Sequence, residues 1–169
     1  TTLYKALLHD SDNLVAESII LMLSGMAQWE LNTQKGLAML YQQNKTLKSQ
    51  FRQVDGSGLS RYNLASPRGL LETLDKIYET IGSTNIKTLF PQANSVGTLY
   101  DYAPKQVLDY VYAKSGSLNN NHLLAGFIFS ASKKNYAFVI SVTNYTGDKQ
   151  AVQEAIGAQL SIIYNKLIY

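Results

Sequence analysis

The chain has 169 residues, of which 46% are apolar, so it is long enough to bury one sizeable core. Its net charge of +3 is the excess of 15 lysines and arginines over 12 acidic residues. The basic residues are scattered without a run, which argues against a nucleic-acid surface. It has no cysteine, so disulfides and thiolate metal sites are excluded, and two isolated histidines cannot form a zinc centre unless carboxylates complete it. We therefore expect neither a metal nor a cofactor.

The sequence predicts no membrane-spanning segment and no leader. The longest apolar stretch, residues 19–23, is far too short to cross a bilayer. The first residues show no basic segment followed by an apolar core and a cleavage site. We therefore expect a soluble, mature fragment whose export signal lies upstream.

Helical periodicity marks the first part of the chain. Asp12 or Asn13 can cap a helix whose apolar residues recur every three or four positions and which ends near Gly25. A second helix is predicted after Asn32 or Thr33. The first predicted helix thus begins with a Ser-Asp-Asn string at residues 11–13.

The third predicted helix has the clearest boundaries. Ser66 is its cap, Pro67 lies in its first turn and Gly82 stops it. Between the second and third helices, the Asp-Gly-Ser-Gly stretch at residues 55–58 can only form a turn or loop.

From residue 106 the apolar period changes to two. Residues 107–118 predict a strand that carries Lys114, and residues 123–130 and 136–143 predict two more strands joined at residues 132–135. A last helix begins at Gly147. Helices followed by three strands and a helix predict an α+β fold, with an antiparallel sheet flanked by helices.

Two polar strings lie on these elements. The Ser-Asp-Asn string can point a hydroxyl and a carboxamide into a cleft, although a plain helix cap would explain it when it is taken alone. The lysine string, Lys114-Ser115-Gly116-Ser117, offers charge, hydroxyls and a glycine beside which a ligand backbone can lie. When the lysine string is taken alone, an exposed lysine before a turn would explain it. Together and in this order, the strings favour a strand edge that binds a peptide and its terminal carboxylate.

These strings belong to a known set, since β-lactamases and penicillin-binding proteins combine Ser-x-x-Lys, Ser-Asp-Asn and Lys-Thr-Gly. With the turn Asp55-Gly56-Ser57-Gly58-Leu59-Ser60-Arg61 between the two strings, nearly the whole chain resembles the penicillin-binding protein 4 family. The family comprises D-alanyl-D-alanine carboxypeptidases and endopeptidases of the bacterial periplasm. The resemblance implies part of a serine β-lactamase/DD-peptidase-like fold. The turn is its most specific element, because class A β-lactamases lack it.

The resemblance also implies roles for the site residues. Ser11 relays the proton to the departing amine, Asn13 orients the peptide, and Lys114 sets the electrostatics of the nucleophile and the substrate carboxylate. Ser115, which replaces the commoner threonine, and Ser117 hold that carboxylate, and the Ser117 N–H forms half of the oxyanion hole. The implied substrate is a peptidoglycan stem peptide, and the implied inhibitors are β-lactam antibiotics.

The nucleophile is missing from its expected place. The Ser-x-x-Lys string of this chain begins at Ser130, at a predicted hairpin tip and not at the start of a buried helix. We therefore expect residues 1–169 to be the C-terminal portion of the enzyme, inactive alone. One sheet edge is then left unpaired, and it predicts either a dimer or pairing with the N-terminal portion. The alternative is a non-catalytic peptidoglycan-binding or structural module that has lost its serine.

Rapid β-lactam hydrolysis is not predicted. Class A β-lactamases need a glutamate at the head of a Glu-x-x-Leu-Asn loop, and the nearest string here has Gln28 in that place, too soon after Asn13. Slow turnover, and hence inhibition by β-lactams, fits better.

His9 and His122 are predicted to be structural, because proton chemistry in the family uses serine and lysine. A group of tyrosines could form a stacking platform, but alternating tyrosines on a strand favour packing against a helix. These residues are Tyr100, Tyr102, Tyr110 and Tyr112.

Overall fold

The computed structural model describes residues 2–28, 30–44, 48–93, 99, 102, 109–130 and 134–167. The chain divides into two compact units, an N-terminal unit of Thr1–Thr73 and a C-terminal unit of Leu74–Tyr169. The boundary falls inside a helix and not at a linker.

The N-terminal unit is mostly helical. It contains α1 (Thr2–His9), α2 (Asn13–Gln28) and α3 (Thr33–Gln43), followed by a small antiparallel ladder of β1 (Phe51–Arg52) and β2 (Leu64–Ala65). The predicted starts of α2 and α3 are confirmed, whereas α1 and the ladder were not predicted. The predicted end of α2 at Gly25 is three residues too early.

Side-chain caps explain where α2 and α3 begin. Asp12 Oδ1 accepts a hydrogen bond from Val15 N, and Asn32 Oδ1 accepts one from Lys35 N, both at 3.0 Å. The two helices then meet at Gly36, where a Cβ atom would lie 2.2 Å from the carbonyl oxygen of Ile20. Only glycine permits this approach, and it fixes the packing of α3 on α2.

Helix α4 (Pro67–Leu89) runs across the boundary between the units. Ser66 caps it, since Ser66 Oγ accepts from Gly69 N at 3.0 Å. Gly82 interrupts it with φ 71° and ψ 168°, so the predicted stop is confirmed at that residue. The helical turns that resume after Gly82 were not predicted.

The C-terminal unit combines the part of α4 from Leu74 onward with a three-stranded sheet and a further helix. Strands β3 (Val111–Leu118), β4 (Asn121–Phe129) and β5 (Asn135–Thr143) form an antiparallel sheet in the order β3-β4-β5, followed by α5 (Lys149–Leu167). The prediction of an α+β fold with an antiparallel sheet and helices is confirmed. The predicted first residues of β3, 107 and 108, and part of the predicted β4–β5 joint lie outside the described residues.

The core of this unit lies between the sheet and α5. Ile156, Leu160 and Tyr164 of α5 share one buried cluster with Leu124 and Phe138 of the sheet. Burial of each such side chain contributes about 2 kcal/mol. This packing supports the sheet whose strand β3 carries the lysine string.

Within the described ranges, no helix combines the length and apolarity needed to cross a bilayer. The same residues include no group of three or more histidine or acidic side chains placed to hold a metal ion.

Candidate active site

The Ser-Asp-Asn string lies where α1 connects to α2, and its Asn13 is the first residue of α2. Asp12 N donates to the carbonyl oxygen of Ala6 at 3.2 Å, so the chain turns tightly after α1. Ser11 has φ 54°, a left-handed conformation that costs a residue other than glycine about 1–3 kcal/mol. Asp12 makes the capping bond described above. Helix capping therefore accounts for Asp12, and the half-buried Ser11 and the exposed Asn13 are the two residues of the string to which the family resemblance gives roles.

The glycine turn (residues 55–61) is organised by one carboxylate. Asp55 Oδ1 accepts from Gly58 N and from Asn63 Nδ2, both at 2.7 Å, and Asp55 Oδ2 accepts from Ser60 N at 2.8 Å. Gly58 has φ 79°, which favours glycine. The first side chain of the turn thus satisfies two of its main-chain donors, those of Gly58 and Ser60.

Glu17 attaches this turn to α2. Its Oε1 accepts from Gly56 N at 3.1 Å and from Ser57 N at 2.9 Å. A Cβ atom on Gly56 would lie 2.7 Å from the carbonyl oxygen of Ala16. Hydrogen bonds from the Ser57 side chain and from the two main-chain amides lower the pKa of Glu17, against the opposing effects of burial and of Asp55. The Ser-Asp-Asn helix and the turn are therefore one assembly.

Strand alternation shows which main-chain groups of the lysine string face outward. On the outer side of β3, Ala93 N donates to Val111 O at 2.9 Å and Ala113 N donates to Pro91 O at 3.1 Å. Since every second residue of a strand faces the same edge, the main-chain groups of Ser115 and Ser117 face this outer side too. In the described part of the chain, outer pairing ends at Ala113. The edge beyond it can accept an extended peptide.

Gly116 lies between these two serines without a steric reason from the fold. A Cβ atom there would meet nothing within 4 Å, and the residue is exposed. Its absence of a side chain leaves open surface on which a ligand can lie close to the strand.

Lys114 is half-buried on the same strand, where its Nζ donates to Ser115 O at 2.7 Å. Burial lowers the pKa of Lys114, because the charged ammonium loses solvation. A charged lysine at this place therefore costs the folded protein solvation free energy.

His122 lies directly opposite Ser117 in the β3–β4 register and is 1% exposed. Its Nδ1 lies 2.6 Å from Ser117 Oγ, and its Nε2 is in hydrogen-bond contact with the hydroxyl of the fully buried Tyr102. Burial and the charge of Lys149 lower the pKa of His122. Its burial agrees with the predicted structural role, and its contact with the predicted site residue Ser117 was not predicted.

The structure places the predicted site residues in two groups. Ser11 and Asn13 lie in the N-terminal unit, and the lysine string lies in the C-terminal unit. Their convergence into one site stays a prediction. Ser130 follows β4 and is buried, with its N–H donating to Lys134 O at 3.2 Å; this is a hairpin and not a helix start. The rest of that Ser-x-x-Lys string lies outside the described residues.

The described tyrosines of the predicted group contact other rings of the protein. Tyr110 stacks on Tyr164 of α5 at a centroid distance of 5.0 Å, Tyr112 meets Phe129 edge-on, and Tyr102 lies against His122. These contacts favour packing over a stacking platform. Tyr100 lies outside the described residues.

Comparison with known proteins gives consistent matches. The family described as D-Ala-D-Ala carboxypeptidase 3 (S13) matches residues 1–166. The D-alanyl-D-alanine carboxypeptidase DacB of Haemophilus influenzae is 31% identical over 159 residues, which cover 88% of this chain and 33% of that protein. The chain thus spans about one third of the length of this curated relative.

Solved structures match over almost the entire chain. The crystal structure of penicillin binding protein 4 (dacB) from H. influenzae, complexed with a β-lactam, has a TM-score of 0.80 and 27% identity, covering 99% of this chain and 41% of that one. The extended spectrum β-lactamase TLA-1 has a TM-score of 0.71 and 16% identity, covering 99% of this chain and 64% of that one. The second match supports the fold alone.

Proposed function

Because the chain belongs to the D-Ala-D-Ala carboxypeptidase 3 (S13) family, we propose that it supplies part of the active site of a serine D-Ala-D-Ala carboxypeptidase or endopeptidase. The proposed substrate is the stem peptide of peptidoglycan, and the proposed location is the periplasm. β-Lactams, one of which is bound in the solved H. influenzae relative, are the proposed inhibitors.

One observation carries this proposal: the outer edge of β3 beside Gly116. Ser115 and Ser117 turn their main-chain groups outward, and the glycine between them leaves room for a ligand. A peptide that lies along this edge would form strand-like hydrogen bonds. Its terminal carboxylate would receive the hydroxyls of the two serines and the positive charge of Lys114.

The catalytic roles divide between the two units. Ser11 relays a proton to the departing amine and Asn13 orients the peptide. Lys114 stabilises charge on the nucleophile and the substrate, and the Ser117 N–H stabilises the oxyanion. The attacking serine of a Ser-x-x-Lys motif is supplied by an N-terminal portion of the complete protein, with which this chain associates.

Covalent labelling tests the proposal. The complete protein, incubated with a fluorescent penicillin, should give a band that survives denaturation, and the 169-residue chain alone should give none, because acylation needs the missing nucleophile. A band from the chain alone that disappears in Ser130→Ala would contradict this assignment. A complete protein that binds the peptide but is never acylated would support the non-catalytic module instead.

A further inference from the structure

The contacts of His122 join the exposed end of β3 to the buried interior. Ser117 is exposed, His122 is 1% exposed and Tyr102 is fully buried. Both ring nitrogens of His122 are engaged, Nδ1 with Ser117 Oγ and Nε2 with the Tyr102 hydroxyl. The three side chains therefore form one hydrogen-bonded chain that ends at a residue of the proposed carboxylate site.

The direction of the hydrogen bonds decides what Ser117 can offer a ligand. A neutral imidazole has one donor and one acceptor nitrogen, and burial of His122 favours the neutral ring. If Ser117 donates its hydroxyl proton to Nδ1, only oxygen lone pairs face the ligand, and these repel an anion. If Nδ1–H donates to Ser117 Oγ, the serine proton is available for a carboxylate.

The chemistry of the two hydroxyls favours the second arrangement. A phenol is more acidic than an aliphatic alcohol and is the stronger donor. This difference favours Tyr102 O–H as the donor to Nε2 and so favours the imidazole proton on Nδ1. Hydrogen bonds in such a chain also polarise one another, which strengthens the last donor.

We propose that Tyr102 and His122 are positioning residues that hold the Ser117 hydroxyl as an outward donor for a ligand carboxylate. This inference rests on the proposed function, since it takes Ser117 to face the terminal carboxylate of the substrate. Neither residue touches the substrate, and both act through Ser117.

The tautomer of His122 gives a test that needs no activity. Nitrogen NMR of the complete protein, labelled at histidine and assigned with His122→Asn, should show His122 protonated at Nδ1 and unprotonated at Nε2. The opposite tautomer would overturn the proposal. Because this measurement needs no substrate, it separates failure of the proposal from failure of the proposed function.

Kinetics of the complete protein give the second test, with an acyl-D-Ala-D-Ala peptide and its C-terminal amide as probes. Tyr102→Phe should raise KM for the carboxylate peptide about tenfold, as expected for a weakened hydrogen bond to a charged group, with a much smaller change for the amide and for kcat. Tyr145→Phe is the matched control, because the Tyr145 hydroxyl donates to the main-chain oxygen of Asn119. This control variant should leave KM for both peptides unchanged.

Two further variants separate positioning from plain structural support. In a Ser117→Ala background, Tyr102→Phe should have no additional effect, because the group through which it acts is gone. His122→Asn keeps an N–H donor near the place of Nδ1 and should retain more carboxylate selectivity than His122→Leu.

Equal losses for both peptides, or additive losses with Ser117→Ala, would overturn the proposal. A complete protein that cleaves neither peptide would contradict the proposed function, and the tautomer would then decide this inference.

Discussion

Gly56 of the glycine turn and Gly116 of the lysine string both lie among polar residues, but the two positions differ in what requires a glycine. Gly56 lies against α2, where a Cβ atom would come within 2.7 Å of a main-chain oxygen. Gly116 lies on exposed β3, where a Cβ atom would meet nothing within 4 Å. The fold requires the first glycine, whereas only a ligand would require the second.

The hydrogen bonds of the two regions differ in the same way. In the turn, Glu17 accepts from the main-chain amides of Gly56 and Ser57, and Asp55 accepts from those of Gly58 and Ser60. On β3, the outward groups of Ser115 and Ser117 have no main-chain partner among the described residues. The turn is therefore scaffold for α2, which begins at Asn13, and the strand is the surface that we propose meets the substrate.

The largest expected effect is on the strand side. Lys114→Ala in the complete protein should lower the rate of acylation by penicillin at least about a hundredfold, as when one electrostatic stabiliser of a transition state is removed. Stopped-flow or gel-based labelling measures this rate. Lys133→Ala, which removes the lysine of the hairpin Ser-x-x-Lys string, is the control and should change almost nothing. Equal losses from both substitutions would mean that Lys114 is the wrong lysine.

Substitution of the two glycines tests the comparison directly. Gly56→Ala should lower the free energy of unfolding by about 1–3 kcal/mol, since the new Cβ atom overlaps a main-chain oxygen that cannot easily move. Gly116→Ala should change it by less than about 0.5 kcal/mol, as is usual for an exposed position, and should instead raise KM for the peptide. Urea unfolding and steady-state kinetics of the complete protein measure the two quantities. If Gly116→Ala destabilises as much as Gly56→Ala, the distinction between scaffold and ligand surface is wrong.

The sequence predicted most elements of the fold because their signals are local. Asp12, Asn32 and Ser66 mark helix starts through bonds that span three residues, and period-two alternation marks β3 to β5. Helix α1 spans only eight residues, which is too short a segment for the apolar period of a helix to mark it. The turns after Gly82 were missed because a stop signal does not say whether a helix resumes.

The contacts around the site could not be predicted, because they are not local. Glu17 binds amides 39 and 40 residues away, and nothing in its spacing indicates this. His122 meets Ser117 only because the β3–β4 register places the two residues opposite each other. Its other partner, Tyr102, lies 20 residues away in the sequence. The motif strings predicted which residues to examine, whereas their supporting side chains became visible only in the folded chain.

A smaller effect is expected where the turn is attached to α2. Glu17→Gln should lower the free energy of unfolding at pH 7 by about 1 kcal/mol, which is less than is usual for charged hydrogen bonds because solvent screens the partly exposed carboxylate. The pKa of Glu17 in the folded protein lies below its ordinary value of 4.5. The stabilisation is therefore fully present above pH 4.5 and is lost as the pH falls through the folded pKa. Urea unfolding at several pH values should show the variant and the parent converging in acid.

The control for this prediction is Glu79→Gln, which changes an exposed glutamate on α4. This variant should change the free energy of unfolding little at neutral pH or in acid. A Glu17→Gln difference that stays constant from neutral to acid pH would mean that the carboxylate charge does not hold the turn.

The smallest expected effect concerns the other edge of the same sheet. Within the described residues, β5 pairs only with β4 and so presents a nine-residue outer edge, and an unpaired edge of this length favours association. We expect the isolated chain to dimerise weakly through β5 or to pair with a separately expressed N-terminal portion, which sedimentation at several concentrations would detect. Val139→Lys places a charge in the middle of the strand and should reduce the association, since edge lysines oppose strand pairing. A monomer at every concentration would show that the edge is protected, and an association unaffected by Val139→Lys would show that another surface is responsible.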